Sequence, residues 1–275
     1  MKLGFNEATC MKHSSLQADL ELCEKNGYDY IEIRLDMLAD YLKDHTYSDL
    51  RKFFASSHLK PYAFNSIENI NFCTPDEWQE RVQLFTFACQ SAQEIGNPYI
   101  IMVPTMGPDM VNKTEKEVFD DSVESLIKFV EIAKPYGVKL AFEPIGDPRW
   151  CVRSLKQCWE IVKKIDRENV GIALDAFNLF LYTKFTDIDD LDQVPLEKIF
   201  VYHIDDCEDL PLGILDHCHR LFPGDGVIPL DLLSEKLKAK GYNEIASIEL
   251  FRPQYWDMEP ADVIRIGKEK TLRFL

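Results

Sequence analysis

Eight short apolar, β-rich runs alternate with longer stretches of helical periodicity along the whole chain. That alternation constrains the fold more than any single motif. The predicted strands are residues 3–7, 30–34, 61–66, 99–103, 138–143, 170–175, 199–203 and 246–250. The helical stretches between them carry start and stop signals. The stretch 16–25 runs into Asn26-Gly27, 75–95 follows Thr74 and stops at Gly96, and 115–133 follows Thr114. A stretch at 155–165 follows Ser154, one at 230–239 ends at Lys240-Gly241, and a last helix starts near Pro260. Eight strands alternating with helices in 275 residues predict a single α/β domain over residues 1–275, a (β/α)8 TIM barrel. A doubly wound open sheet uses fewer strands, and no GxGxxG or Walker-type loop follows the first strand.

Charge narrows the function. Lys and Arg number 31 against 47 Asp and Glu, a formal net charge of −16. So acidic a surface repels nucleic acid and anionic lipid, and neither is expected as a partner. The longest apolar runs fall well short of the ~20 residues that a membrane helix requires. Eight cysteines stand at 10, 23, 73, 89, 151, 158, 207 and 218 without a CxxC pair. Met1-Lys2-Leu3-Gly4 leads straight into polar Asn6-Glu7, with no secretory signal. The expectation is a cytoplasmic protein with reduced cysteines. The oligomeric state stays open, a homo-oligomer included.

Side-chain parity locates the chemistry. Successive side chains of a barrel strand alternate between the barrel interior and the helix layer. In Lys139-Leu140-Ala141-Phe142-Glu143 the bulky Leu140 and Phe142 share one parity, leaving Glu143 with Ala141. In Gly171–Asp175 the bulky pair is Ile172 and Leu174, leaving Asp175 with Ala173. In Ile199–His203 the larger Phe200 and Tyr202 alternate with Val201 and His203. In Ser247–Leu250 the bulky pair is Ile248 and Leu250, leaving Glu249 with Ser247. The bulky sets are expected to face the helices. Glu143, Asp175, His203 and Glu249 then point inward at the C-terminal ends of strands five to eight, the catalytic end of such barrels.

Three carboxylates and a histidine converging in a dry space cannot all stay ionised unpaired. One divalent cation removes the problem, and mixed O/N donors suit Mn, Zn or Co, with Mg also open. Other strand ends offer substrate contacts. Glu32 and Arg34 share a parity on strand two and are expected to pair with each other or touch substrate. Asn65 on strand three and Asn6 on strand one are weaker candidates. Of the four tryptophans, Trp150 and Trp256 lie just beyond strands five and eight, while Trp78 and Trp159 read as packing. His217 and His219, in an acidic loop, read as solvated surface.

Several strings resemble a known family. Gly4-Phe5-Asn6-Glu7-Ala8-Thr9, Leu20–Lys25, Tyr28-Asp29-Tyr30-Ile31-Glu32-Ile33-Arg34, Tyr202-His203-Ile204-Asp205-Asp206 and Glu249-Leu250-Phe251-Arg252-Pro253 are similar to the inosose isomerases. These belong to the xylose-isomerase-like sugar isomerases and epimerases, and the likeness covers nearly the whole chain. The resemblance implies Glu143, Asp175, His203 and Glu249 as ligands of one metal, with Glu143 and Glu249 as the catalytic acid/base pair. It implies a substrate-binding Arg220 before the turn Pro223-Gly224-Asp225-Gly226. A surface salt bridge is the other reading of Arg220. Many members have a histidine three residues after the strand-six Asp. Here the position is Asn178, which keeps hydrogen bonding but does not titrate, so its substrate contact is in question.

The implied activity moves a carbonyl between adjacent carbons of a keto-polyol through an enediolate. The substrate would be a small polyol or ketose, without phosphate. A ketose 3-epimerase, a hydroxypyruvate-type isomerase and a metal-dependent dehydratase of a cyclic keto-polyol use a similar site and remain alternatives.

Overall fold

Gly171 shows how the barrel interior is filled. A Cβ at this glycine would lie 2.6 Å from the ring of Phe200 and 2.7 Å from the Lys198 carbonyl oxygen, so the aromatic ring occupies the space a side chain would need. Around this contact the computed structural model, which describes residues 1–275, closes eight parallel strands into a barrel.

The first half runs β1 (Lys2–Asn6), α1 (Leu16–Asn26), β2 (Tyr30–Arg34), α2 (Leu35–Tyr41), α3 (Tyr47–Ser56), β3 (Lys60–Ile67), α4 (Pro75–Ile95) and β4 (Tyr99–Met102). It continues with α5 (Glu115–Ala133), β5 (Lys139–Phe142), α6 (Leu155–Ile165), β6 (Val170–Asp175), α7 (Ala176–Thr183) and β7 (Ile199–His203). A two-stranded antiparallel ribbon, β8 (Asp206–Cys207) with β9 (Arg220–Leu221), then interrupts the alternation. α8 (Leu230–Lys240), β10 (Ile245–Ile248), α9 (Pro253–Trp256) and α10 (Pro260–Thr271) complete the chain. The barrel order is β1 to β7 in sequence, then β10, which pairs back onto β1 through Lys2–Ile245 and Phe5–Ile248.

The expected cap signals act as read. The Thr74 and Thr114 hydroxyls accept from the Glu77 and Glu117 amides, each in a reciprocal box. Gly27, Gly96 and Gly241 end their helices with positive φ. The sequence did not announce α2, α3, α7 or the ribbon.

Parity holds on three of the four strands tested. Leu140, Phe142, Ile172, Leu174, Ile248 and Leu250 pack in the large core between strands and helices, while Ala141 and Ala173 lie inside the barrel. On β7 the expectation fails at Phe200. The ring belongs to the interior cluster with Tyr62, Ile101, Ala141, Ala173, Val201 and Ile245. The β6–β7 register shifts there, from Ile172–Ile199 to Ala173–Val201, so Phe200 is an extra residue on its strand and both it and Val201 turn inward. Beyond the shift the pairing Asp175–His203 restores the expected phase at the strand ends. Tyr30, Tyr62, Tyr99 and Phe200 form a chain of ring contacts that plugs the N-terminal end of the barrel. No helix is long and apolar enough to cross a membrane.

Candidate metal centre and substrate cavity

Strand geometry brings Glu143, Asp175, His203 and Glu249 together at the C-terminal mouth. One ligand atom from each lies within 4.8 Å of the other three. Asp175 and His203 are fully buried, and Glu143 and Glu249 nearly so. The side chain of Asp175 also accepts from the Asn178 amide at 2.6 Å and so caps α7.

The imidazole of His203 is oriented from one side. Its Nε2 lies 3.2 Å from Glu32 Oε2, and its Nδ1 faces the three carboxylates: Glu249 at 3.3 Å, Asp175 at 3.7 Å and Glu143 at 3.8 Å. That Nδ1 is buried without a hydrogen-bond partner. Around it Glu32, Glu143, Asp175, Asp205 and Glu249 present five buried carboxyl groups, answered only by His203 and the fully buried Arg220. Arg220 Nη1 reaches Asp205 at 2.5 Å, Asp175 at 2.8 Å and Glu249 at 3.1 Å.

Ionisation reflects this crowding. Burial pushes the Glu143 carboxyl up to about 7 and raises Glu249 as well. Burial acts on Asp175 in the same direction, but the adjacent Arg220 and His203 hold it down at about 2. His203 is raised well above its usual value because Glu249 and Glu32 outweigh burial. An unpartnered imidazole nitrogen aimed at three carboxylates, in a site short of positive charge, is a donor set that fits one divalent cation.

A cavity of about 370 Å³ opens above this cluster, within the ~300–1,000 Å³ range of small-molecule sites. Glu143, Glu249, Arg220, Asn65, Trp150 and His217 are among the residues that line it.

Known proteins settle the family. The model of the xylose isomerase-like TIM barrel family matches residues 20–272. The inosose isomerase of Halalkalibacterium halodurans is 41% identical over 99% of this chain and 95% of its own. That of Bacillus subtilis is 41% identical over 99% of this chain and 97% of its own. A crystal structure of the IolI protein with a bound zinc atom superposes with a TM-score of 0.95 at 40% identity, covering 100% of this chain and 98% of that one. The chain belongs to the inosose isomerases of the xylose isomerase-like TIM barrel family.

The position where many members of this family carry histidine, Asn178, is buried and absent from the cavity wall. Its side-chain amide nitrogen donates to Glu143 Oε1 at 3.0 Å and so orients a cluster glutamate. Glu32 does not pair with Arg34. It is fully buried on His203, while Arg34 turns outward to Asp36 at 2.9 Å. Asn65 does line the cavity, and its amide donates to Glu249 Oε1 at 2.7 Å; Asn6 donates to the same oxygen at 3.0 Å. Arg220 is no surface ion pair, since it is wholly enclosed.

Trp150 borders the cavity, but Trp256 does not: its indole N–H is tied to the Ala8 carbonyl at 2.9 Å. The reading of His217 as solvated is corrected. Its ring lies against Trp150, Phe177 and Phe251. Sequence reasoning missed His217, Phe251 and Asp205. Asp205 shares parity with His203 two residues earlier, and extending the parity rule past the strand end would have found it. His217 sits in an irregular loop, where no periodicity points at it.

Proposed function

We propose that this protein is a metal-dependent isomerase that moves a carbonyl between adjacent carbons of a keto-polyol, with an inosose as substrate. The observation that carries the reading is the division within the cluster. Glu143 and Glu249 line the cavity, whereas Asp175 and His203 lie beneath it. Two carboxylates beside the substrate suit a proton that leaves one carbon and returns to its neighbour.

In this reading Glu143, Asp175, His203 and Glu249 hold one divalent cation, with zinc, manganese or cobalt suited to the donors and magnesium less so. A cation held there would supply Lewis acidity to stabilise the negative charge that develops on the substrate oxygens. One glutamate takes the C–H proton from the hydroxyl-bearing carbon, and the electron pair left behind forms the C=C bond of an enediolate. A proton delivered to the former carbonyl carbon and transfer of the hydroxyl proton to the former ketone oxygen complete the shift. No oxidant or reductant is consumed. Asp175 and His203 stay fixed. Arg220, whose Nη2 and Nε have no partner, offers hydrogen bonds to the anionic oxygens.

The cavity also supports an uncharged substrate. Its two arginines are already paired, Arg149 with Asp147 and Asp216, and Arg220 with three acids. No free cation remains there for a phosphate.

The test is incubation of the metal-loaded protein with 2-keto-myo-inositol in deuterated water, followed by NMR. The expected result is a new keto-inositol carrying deuterium next to the carbonyl. No product, with brisk epimerisation of a simple ketohexose instead, overturns the assignment.

A further inference from the structure

The geometry points to His217 as a specificity-determining residue: an imidazole that hydrogen-bonds a hydroxyl of the substrate remote from the reacting carbons. This rests on the keto-polyol reading above and adds to it the residue that recognises the rest of the ring.

His217 lies in the irregular loop between the two ribbon strands, on a single turn at His217–His219. Three aromatic rings hold it. It stacks on Trp150 with centroids 5.8 Å apart and planes at 19°, and it meets Phe177 and Phe251 edge-on at 5.7 and 5.6 Å. Packing of this kind removes rotamer freedom before any ligand arrives, so less is lost on binding.

Its polar edge is unused. Nε2 is buried and makes no hydrogen bond, although the ring borders the same cavity as Glu143 and Glu249. A buried donor or acceptor without a partner is costly, and folded proteins seldom keep one that nothing uses. The neighbouring Asp216 does not satisfy it: its carboxylate accepts from the His217 backbone amide, at 2.5 Å, and not from the ring.

Charge sets the kind of partner. The Arg220 guanidinium lies over the Phe177 and Phe251 rings at 5.0 and 5.3 Å, the same two rings that flank His217. Burial, with this guanidinium, pushes the imidazole down to about 4, so the ring stays neutral. A neutral imidazole carries one donor and one acceptor, the complement of a hydroxyl and a poor match for a carboxylate or phosphate. The cavity thus offers Glu143 and Glu249 to the reacting carbon pair, and the His217 ring, held by Trp150 and Phe251, to a further hydroxyl. A site built to hydrogen-bond a hydroxyl rejects analogues that lack it.

The experiment compares wild type with His217→Phe, which keeps the aromatic packing and removes both nitrogens, and with His217→Gln, which restores a donor and an acceptor. Metal content and circular dichroism establish that each variant is loaded and folded. With 2-keto-myo-inositol, His217→Phe is expected to raise KM at least tenfold with kcat within threefold of wild type, and His217→Gln to recover part of the loss. Single-deoxy keto-inositols then identify the hydroxyl. One of them should raise KM for wild type but leave His217→Phe unchanged, while the others affect both proteins alike. A KM unaltered in His217→Phe, or a loss confined to kcat, overturns the role of His217 alone. Wild-type protein that leaves 2-keto-myo-inositol untouched overturns the substrate and this inference together.

Discussion

Glu32 and His203 meet across the barrel axis at 3.2 Å, each fully buried, one in the middle of β2 and the other at the end of β7. The contact takes up Nε2 and leaves Nδ1 as the nitrogen facing the acidic cluster. A carboxylate behind a ligating imidazole fixes the tautomer and raises the basicity of the other nitrogen.

Glu32→Gln keeps the shape of that contact but removes its charge. Affinity for zinc or manganese should fall by roughly 10–100-fold, the usual cost of losing such a partner. Competition against a fluorescent chelator measures it. Unchanged affinity would show that His203 is oriented by packing alone.

Arg220 supplies the only permanent positive charge among five buried carboxyls. Arg220→Met should therefore destabilise the metal-free protein by roughly 3–5 kcal/mol, since it strands buried acids. At about 2–4 °C per kcal/mol for a chain of this size, the melting temperature should drop by roughly 10 °C. Saturating divalent cation should restore more stability to the variant than to wild type, because the ion takes over the missing charge. Calorimetry with and without metal decides it; an equal drop in both conditions would separate Arg220 from the cation.

The four cluster residues were legible because parity is a local property of a strand. Bulky Leu140 and Phe142 declare which way Glu143 points, and the same holds for Asp175 and Glu249. Phe200 was not legible. A bulge adds one residue to the period-two count, and size alone does not reveal it. Had the slip fallen between Phe200 and His203 without recovery, the histidine would have faced the helices. α7 was missed because Ala176–Thr183 is apolar on most sides and shows no amphipathic stripe; it is buried at the end of β6, started by the Asp175 cap. His217 and Asn178 owe their positions to contacts made by distant segments, Trp150 and Phe251 for one and Glu143 for the other. Such meetings leave no pattern in the local sequence.

The bulge itself can be tested at Gly171. A Cβ there would be 2.6 Å from the Phe200 ring and 2.7 Å from a backbone oxygen that cannot move aside. Gly171→Ala should cost roughly 1–3 kcal/mol, as overpacking in a closed core does. Gly171→Ala combined with Phe200→Leu should recover part of that loss in urea unfolding. If the double variant is no more stable than the sum of the two single changes, the ring is not what fills the space.

A second acidic pair, remote from the metal cluster, sets a pH dependence of stability. Glu7 and Asp19 are both fully buried beside Cys10 and Cys23. Burial pushes Asp19 up to about 7, against the hydrogen bond that its Oδ1 accepts from Ser14. Burial and Asp19, with a smaller push from Asp36, raise Glu7 well above the carboxylate range, although Glu7 accepts the Arg34 amide at 2.8 Å and the Arg34 charge lies nearby. Below pH ~3.8 the Asp19 carboxyl is protonated in both the folded and the unfolded chain and contributes no difference. Between ~3.8 and about 7 the unfolded chain releases a proton that the folded one retains, so stability falls as pH rises, and above that range the loss is complete. Asp19→Asn presents an amide where the retained proton sits and removes this titration. It should be more stable than wild type by on the order of 2–4 kcal/mol at pH 8, with the advantage gone at pH 4. Urea midpoints at the two pH values, taken with chelator so that no metal enters the comparison, give the answer. A variant weaker than wild type at pH 8 would show that Asp19 is held as a charged group.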